Sequence, residues 1–291
     1  PGDGGESPRL AKPPVFNSKE HAGPRYLTFA RIGEYGRLGN QLFQVASTVG
    51  IAEKNGLTWK LPVAVESASI GRLFRLTGSE LMIDELDQYK EQNGTFYEVQ
   101  LDGFTKGVSL HGYFQSRKYF ASSTDTLRTI FSIPQTFVER VLNEVPQVIG
   151  NSVTLHVRRG DYVQLSHLYI LLGKGYYRDA LEKLDDVDVV VIVSDDIEWC
   201  KANLSLELRV DVVYSPFKDE ILDFVLLFLG KHSIIANSSF SWWSAYLKTL
   251  LKPKVDQGQI IAPRPWYNRS GGLRHLNTDD FYLDSWLVVD V

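Results

Sequence analysis

Three short polar clusters carry the residue types that could do chemistry. The first is His156-Val157-Arg158-Arg159-Gly160-Asp161-Tyr162, which closes an alternating run that begins at Val153. That alternation reads as a strand of period two. It puts Val153, Leu155 and Val157 on one face and Thr154, His156 and Arg158 on the other. In open α/β sheets the ligand lies beyond the carboxyl ends of the strands, where these arginines would fall. A guanidinium stays charged at any physiological pH and offers a fixed fork of donors that matches phosphate oxygens. Two readings stand at this point. One is an anion clamp for a phosphate, and the other is an Arg159–Asp161 surface ion pair, worth little to stability.

The second cluster, Ser194-Asp195-Asp196, ends the β-branched run Val187 to Val193. Its carboxylates could accept from a base edge or ribose hydroxyls, or simply cap the helix that follows. The third, Asn237-Ser238-Ser239-Phe240-Ser241, stands where a short strand passes into a helix. Hydroxyls and free N–H groups at a helix start suit a diphosphate, and plain capping is the bland alternative. If the strands are parallel, all three clusters face one crevice. A cation, helix-end donors and acceptors converging there describe a nucleotide-diphosphate pocket.

The elements that must position these clusters follow from pattern. With 291 residues, 44% hydrophobic, the chain can bury one large core or two medium ones. A net charge of -4 argues against a nucleic-acid partner. The single cysteine, Cys200, excludes an internal disulfide and a cysteine-rich metal site. The apolar run Ile221 to Leu229 is broken by Asp223 and is about half the ~20 residues a membrane span requires, so it reads as a buried helix. Residues 1–24 are rich in proline and glycine and are expected to form a stem or tether. Because the chain begins at Pro1 rather than Met, a membrane anchor ahead of it is allowed for.

Structure should start with a strand from Tyr26 to Ile32, a glycine turn through Gly33, Gly36 and Gly39, and a helix that Asn55-Gly56 stops. The turn falls short of the dinucleotide fingerprint by one glycine. A strand at Val108–Phe114, helices near 117–131 and 135–145, and a domain boundary at Gly150-Asn151 complete the first half. The second half alternates strand and helix, with strands at 153–158, 187–193, 210–214, 233–236 and 260–262. That order implies a parallel, Rossmann-like sheet. No Walker loop, His-Glu-x-x-His or Gly-x-Ser-x-Gly occurs. Asp186-Val187-Asp188 has a metal-holding spacing but precedes a strand, the wrong end for the site, and reads as a solvated loop. Arg159-Gly160-Asp161 is also an adhesion tripeptide, a reading that requires Asp161 exposed, whereas partial burial is expected. Trp242-Trp243 reads as helix core before it reads as a sugar platform.

These residues resemble the α-1,2-fucosyltransferases. Gly36-Arg37-Leu38-Gly39-Asn40-Gln41 looks like their glycine motif, and Gly112-Tyr113-Phe114-Gln115-Ser116 is similar to their middle block. His156 to Tyr162 matches their donor signature, and Val193 to Trp199, Ile235 to Trp243 and Ile261-Ala262-Pro263 match later blocks. The resemblance implies an α/β, GT-B-type fold with two Rossmann-like domains facing a cleft. Residues 25–150 would be the acceptor-side domain, and residues 151–291, with a parallel sheet, the GDP-fucose-binding domain. It implies an inverting transfer of L-fucose from GDP-fucose to the 2-hydroxyl of a terminal β-galactoside, without metal or cofactor.

By the same resemblance, Arg158 contacts the β-phosphate with His156 in support, while Arg159, on the opposite parity of the strand, is expected to brace the loop through Asp161. Gly39 and Asn40 approach from the other domain. Asn237, Ser238, Ser239, Phe240 and Ser241 hold phosphate, and Ser194, Asp195 or Asp196 hold the nucleoside. Asp161 is a candidate base, weakened if it pairs with Arg159. Residues 163–175 do not resemble the segment expected there, which leaves acceptor specificity open. A different fucosyl linkage and a catalytically silent, lectin-like glycan binder stay as alternatives. The stem and the sequons at Asn93, Asn203 and Asn268 suit a Golgi lumen enzyme with a type II anchor, and a bacterial cytoplasm is the alternative. The sequon at Asn237 is expected inside the pocket.

Overall fold

The computed structural model describes residues 26–92, 94–205 and 210–291, so the expected tether and the sequon at Asn93 lie outside the described residues. The first half runs β1 (Tyr26–Thr28), α1 (Leu38–Lys54), β2 (Thr58–Trp59), α2 (Ser69–Phe74), β3 (Asp87–Lys90), β4 (Val108–His111), α3 (Thr124–Ile130) and α4 (Gln135–Glu144). The second runs β5 (Ser152–Val157), α5 (Lys174–Leu181), β6 (Val189–Ser194), α6 (Ile197–Asn203), β7 (Asp211–Tyr214), α7 (Glu220–Leu229), β8 (His232–Ile234), α8 (Ser239–Leu251), β9 (Ile260–Arg264) and β10 (Leu287–Asp290).

Two parallel sheets result. The smaller has the order β2-β1-β4-β3. The larger has the order β10-β9-β8-β5-β6-β7. The larger order reverses direction between β5 and β8, and a doubly wound sheet opens its ligand crevice at such a switch point. All three polar clusters sit at that edge, one after β5, one after β6 and one after β8.

Several elements differ from the expectation. β1 stops at Thr28, because the Ala30 N–H turns to the Ser109 hydroxyl (3.1 Å) and Gly33 and Gly36 take φ of +89° and +103° to reverse the chain. The helix expected over 117–131 is instead a 3-10 turn at Arg117–Tyr119 followed by α3. The break at Phe120 drops its ring onto Trp243, with centroids 5.4 Å apart and planes 27° from parallel. The strand β10 was absent from the expected set, since four residues near the chain end carry little period.

One core runs through both sheets. α1 is buried on nearly every side, as a helix with so many small and apolar residues must be. Phe43 from α1 lies 4.8 Å and 5.1 Å from the rings of Trp242 and Trp243 on α8, both fully buried. The tryptophan pair is core, as its helical setting suggested. On the opposite face of the larger sheet a second core gathers Val153, Leu155 and Val157 with Tyr177 and Cys200, as the period-two reading of β5 requires.

The halves approach each other tightly at Gly39. A Cβ added there would fall 2.5 Å from the backbone nitrogen of Phe240 and 2.5 Å from the carbonyl carbon of Ser239. Backbone cannot yield as a side chain can, so Gly39→Ala should cost about 1–3 kcal/mol by overpacking. Thermal unfolding measures it, and a midpoint equal to the parent's contradicts this account of the contact between α1 and α8.

Candidate active site

A cleft of about 550 Å³ opens at the switch point, within the range of small-molecule sites. Arg158, one residue beyond β5, occupies its floor with only 16% of its side chain exposed. Its Nη1 lies 2.6 Å from Asp195 Oδ2, and its Nη2 donates to Asp161 Oδ1. The guanidinium also sits over the Tyr162 ring at 5.2 Å. Each terminal nitrogen is therefore braced by one carboxylate, and the fork is fixed before any ligand arrives.

The expected Arg159–Asp161 pair does not form. Parity sends Arg159 to the other side of the strand, where its guanidinium lies 3.7 Å over the Trp199 ring and Nε reaches Asp196 Oδ2 at 3.3 Å. The 3-10 turn Gly160–Val163 meanwhile folds Asp161 back beneath Arg158. Gly160 permits this, since a Cβ there would lie 2.4 Å from Asp195 Oδ2. Asp161 is exposed rather than partly buried, with half of its side chain in solvent. The tripeptide is nonetheless not presented as a unit, because Arg159 is packed on Trp199. Asp195 also accepts the main-chain N–H of Arg159 at 2.9 Å, so a single carboxylate fixes two consecutive residues.

His156 is buried and shares a hydrogen bond of 2.8 Å between Nδ1 and the Ser241 hydroxyl. Burial, aided by the Arg158 charge, pushes its pKa down to about 3, so the ring is neutral. Ser241 thus serves the imidazole behind the cleft wall. Asn237 also stands behind that wall, 1% exposed, and its Nδ2 donates to the carbonyls of Ile170 and Trp266. Its sequon is closed to any glycan, though not by lying in the pocket. Asp196 caps α6 through the Trp199 N–H.

The structure brings the other expected residues together. Ser238, Ser239 and Phe240 line the cleft at the start of α8, with Ser194 and Asp195 at the end of β6 and Gly39 and Asn40 from α1 facing them. Asn40 Oδ1 accepts from Ser239 Oγ at 2.9 Å and from Gln115 Nε2 at 2.7 Å, tying the halves across the opening. The segment 163–175 contributes Tyr169, stacked on Tyr162 at 4.1 Å and paired by a β-bridge with Tyr267.

Sequence reasoning missed Glu91, Tyr113 and Tyr267 in the lining, and Glu220 and Asp223 from α7. Asp223 left a trace: it is the carboxylate interrupting an apolar helix. It accepts a hydrogen bond from the Ser215 hydroxyl, yet burial raises its pKa to about 7. Asp186 and Asp188 are exposed ahead of β6, at the end away from the cleft. Among the described residues no cluster of His, Cys, Asp and Glu could hold a metal ion.

The raised Asp223 value has a signed consequence. Between the ordinary 3.8 and about 7, the folded chain holds a proton that the unfolded chain has released. Stability therefore falls as pH rises through that window. Asp223→Asn should flatten the fall, measured by denaturant unfolding at about pH 5 and about pH 8. Equal slopes in parent and variant contradict the assignment.

Comparison with known proteins agrees with this geometry. Residues 11–289 match the profile of glycosyl transferase family 11. The chain is 29% identical to an α-1,2-colitosyltransferase of Escherichia coli, over 88% of this chain and 97% of that one. It is 29% identical to galactoside α-(1,2)-fucosyltransferase 1 of Ateles belzebuth, over 73% of this chain and 63% of that one. Among solved structures, NodZ α-1,6-fucosyltransferase co-crystallised with GDP superposes with a TM-score of 0.50 at 13% identity, covering 76% of this chain and 92% of that one. POFUT1 in complex with GDP gives 0.50 at 11%, covering 79% and 97%. At those identities the likeness is one of fold, and the fold is GT-B. A profile matched from end to end of the two sheets makes the chain a member of glycosyl transferase family 11, the family of the α-1,2-fucosyltransferases.

Proposed function

We propose that this glycosyltransferase moves L-fucose from GDP-fucose to the 2-hydroxyl of a terminal β-galactoside, inverting the anomeric centre. The observation that carries the reading is the Arg158 fork, preset at the end of β5 in a cleft that α1 and α8 close from opposite sides. As the sugar–phosphate bond breaks, negative charge grows on the diphosphate. Arg158, the Ser239 hydroxyl and the positive N-terminal end of α8 can meet that charge with little reorganisation. The neutral imidazole of His156 can add a hydrogen bond without a second cation.

Residues 151–291 serve as the donor domain and residues 25–150 as the acceptor side. Ser194 and Asp195 offer acceptors to the ribose hydroxyls. Asp223, from its buried position in the same cleft, offers a carboxyl to the adjacent N–H donors of a guanine edge. Since arginine and a helix end offset the leaving charge, the reaction as proposed uses no metal and no cofactor. Colitose is the second donor sugar to test, because the relative matched over 88% of this chain is a colitosyltransferase.

For location, the proline- and glycine-rich composition of residues 1–24 and the exposed sequon at Asn203 favour a Golgi lumen, and the Escherichia coli relatives favour a bacterial setting. Among the described residues no helix is long and apolar enough to cross a membrane.

Arg158→Ala should weaken GDP binding at least about tenfold, or ~1.4 kcal/mol, and abolish transfer while the fold persists. Calorimetry with GDP and a transfer assay with GDP-fucose and a galactoside panel, with and without chelator, measure both. Parental turnover in the variant, glycan binding with no transfer by the parent, or a product linked elsewhere than the 2-hydroxyl overturns the reading.

A further inference from the structure

We infer that Glu91 is the general base that takes the proton from the acceptor hydroxyl; the inference rests on the transfer reaction proposed above. Glu91 follows β3 directly, so it lies at the ligand-side edge of the smaller sheet and lines the cleft from the half opposite Arg158. Its two oxygens are held separately. Oε2 accepts the Tyr113 N–H at 2.7 Å and Oε1 accepts the Phe114 N–H at 2.8 Å. Among the described residues it has no ion-pair partner, although it is largely withdrawn from water. A carboxylate desolvated without a cation is a costly arrangement that marks functional sites more often than scaffold.

The turn that grips Glu91 is strained on its behalf. Gly112 has φ of +142°, and a Cβ there would fall 2.4 Å from Glu91 Cβ. Phe114 has φ of +50°, a genuine outlier for a bulky residue. The surroundings hold it there. Its ring is fully buried, 5.2 Å from that of Tyr119, and its carbonyl accepts the Ser47 hydroxyl at 3.2 Å. The next residue, Gln115, reaches Asn40 and through it Ser239. One short turn therefore links the carboxylate on one side of the cleft to the phosphate-binding helix start on the other.

Inversion requires the nucleophile to attack from the face opposite the leaving group. Asp161 pairs with Arg158 and stands on the leaving-group side, whereas Glu91 faces it from the other half. The acceptor oxygen forms its bond to the anomeric carbon as the bond from that carbon to the β-phosphate oxygen breaks. The electron pair leaves with GDP, and the hydroxyl proton passes to a Glu91 oxygen. Burial raises the Glu91 pKa against the two N–H bonds that lower it, which favours a base. Among the described residues the titratable groups that sense its charge are the phenols of Tyr119 and Tyr267, both of which it pushes up.

The test compares the parent with Glu91→Gln and Glu91→Asp in GDP calorimetry, thermal unfolding and transfer from GDP-fucose to a β-galactoside across pH. Glu91→Gln should lower kcat by about 100-fold or more, leave GDP affinity within about twofold, and remove the acid limb of the kcat/KM profile. Glu91→Asp, with its carboxylate drawn back by one methylene, should retain that limb and an intermediate rate. If Glu91→Gln does not fold, a fall in kcat at unchanged GDP affinity in Glu91→Asp carries the inference. Transfer by Glu91→Gln within about threefold of the parent overturns it, as does GDP affinity lost in step with activity, or parental kcat in Glu91→Asp. A parent that binds GDP but transfers nothing to the galactoside sinks the functional reading itself, and the base assignment with it.

Discussion

A guanidinium at the end of a buried strand is expensive to keep, and its environment determines much of this fold. Arg158 leaves β5 with little exposure, and the charge lost from water is met by Asp161, Asp195 and the face of Tyr162. Pairing of this kind roughly offsets desolvation rather than adding stability. What it adds is orientation. Asp195 holds both the Arg158 fork and the Arg159 main chain, Gly160 stays bare so that Asp195 can approach, and Arg159 is anchored on Trp199. Together these contacts hold the strand end in one arrangement.

The same constraint explains the contact between the halves. The diphosphate clamp as proposed lies between the two halves, which meet through a packed core on one side and stay open on the other. The core is the aromatic block of Phe43, Phe120, Trp242 and Trp243. On the open side, Gly39 brings the first turn of α1 to the first turn of α8, and Ser239, Asn40 and Gln115 span the gap by side-chain hydrogen bonds. Apolar packing sets the distance, while the polar bridge lies where a ligand's own oxygens can replace it.

Much of this was legible in the residues, and the limits have physical causes. Period two placed His156 and Arg158 on one face because a strand alternates whatever surrounds it. Three polar clusters pointed to one crevice because parallel strands share a carboxyl edge. The pairing of Arg158 rather than Arg159 with Asp161 was not legible, since it depends on a 3-10 turn that nothing in Gly160 to Val163 announces. Glu91 was invisible for another reason, and Asp223 showed only as a carboxylate interrupting an apolar helix. The setting of Glu91 arises from Tyr113 and Phe114, more than twenty residues away in the chain, while that of Asp223 depends on the nearby Ser215 and on burial that only the folded cleft supplies. Asn237 and Ser241 looked like ligand donors because their types suit it, but both point their polar atoms inward, to loop carbonyls and to His156.

The two sides of the cleft carry groups suited to different parts of the proposed substrates. The larger sheet offers one cation, a neutral imidazole and a helix start, which together favour a dianion without repelling the uncharged sugar. The smaller sheet and its facing loops offer Glu91, Tyr113, Tyr169 and Tyr267. Burial raises the phenol pKa of Tyr169 and Tyr267, so both stay neutral and can donate or accept as a hydroxyl requires. Flat rings with neutral polar tips suit a sugar face, whose C–H and O–H groups present both characters. Arg37 from the smaller-sheet half and Glu220 and Asp223 from α7 also reach the lining, so both halves bring charged side chains to the cleft. Asp161 and Asp195 share the single charge of Arg158, and Glu91 stands across the cleft from them.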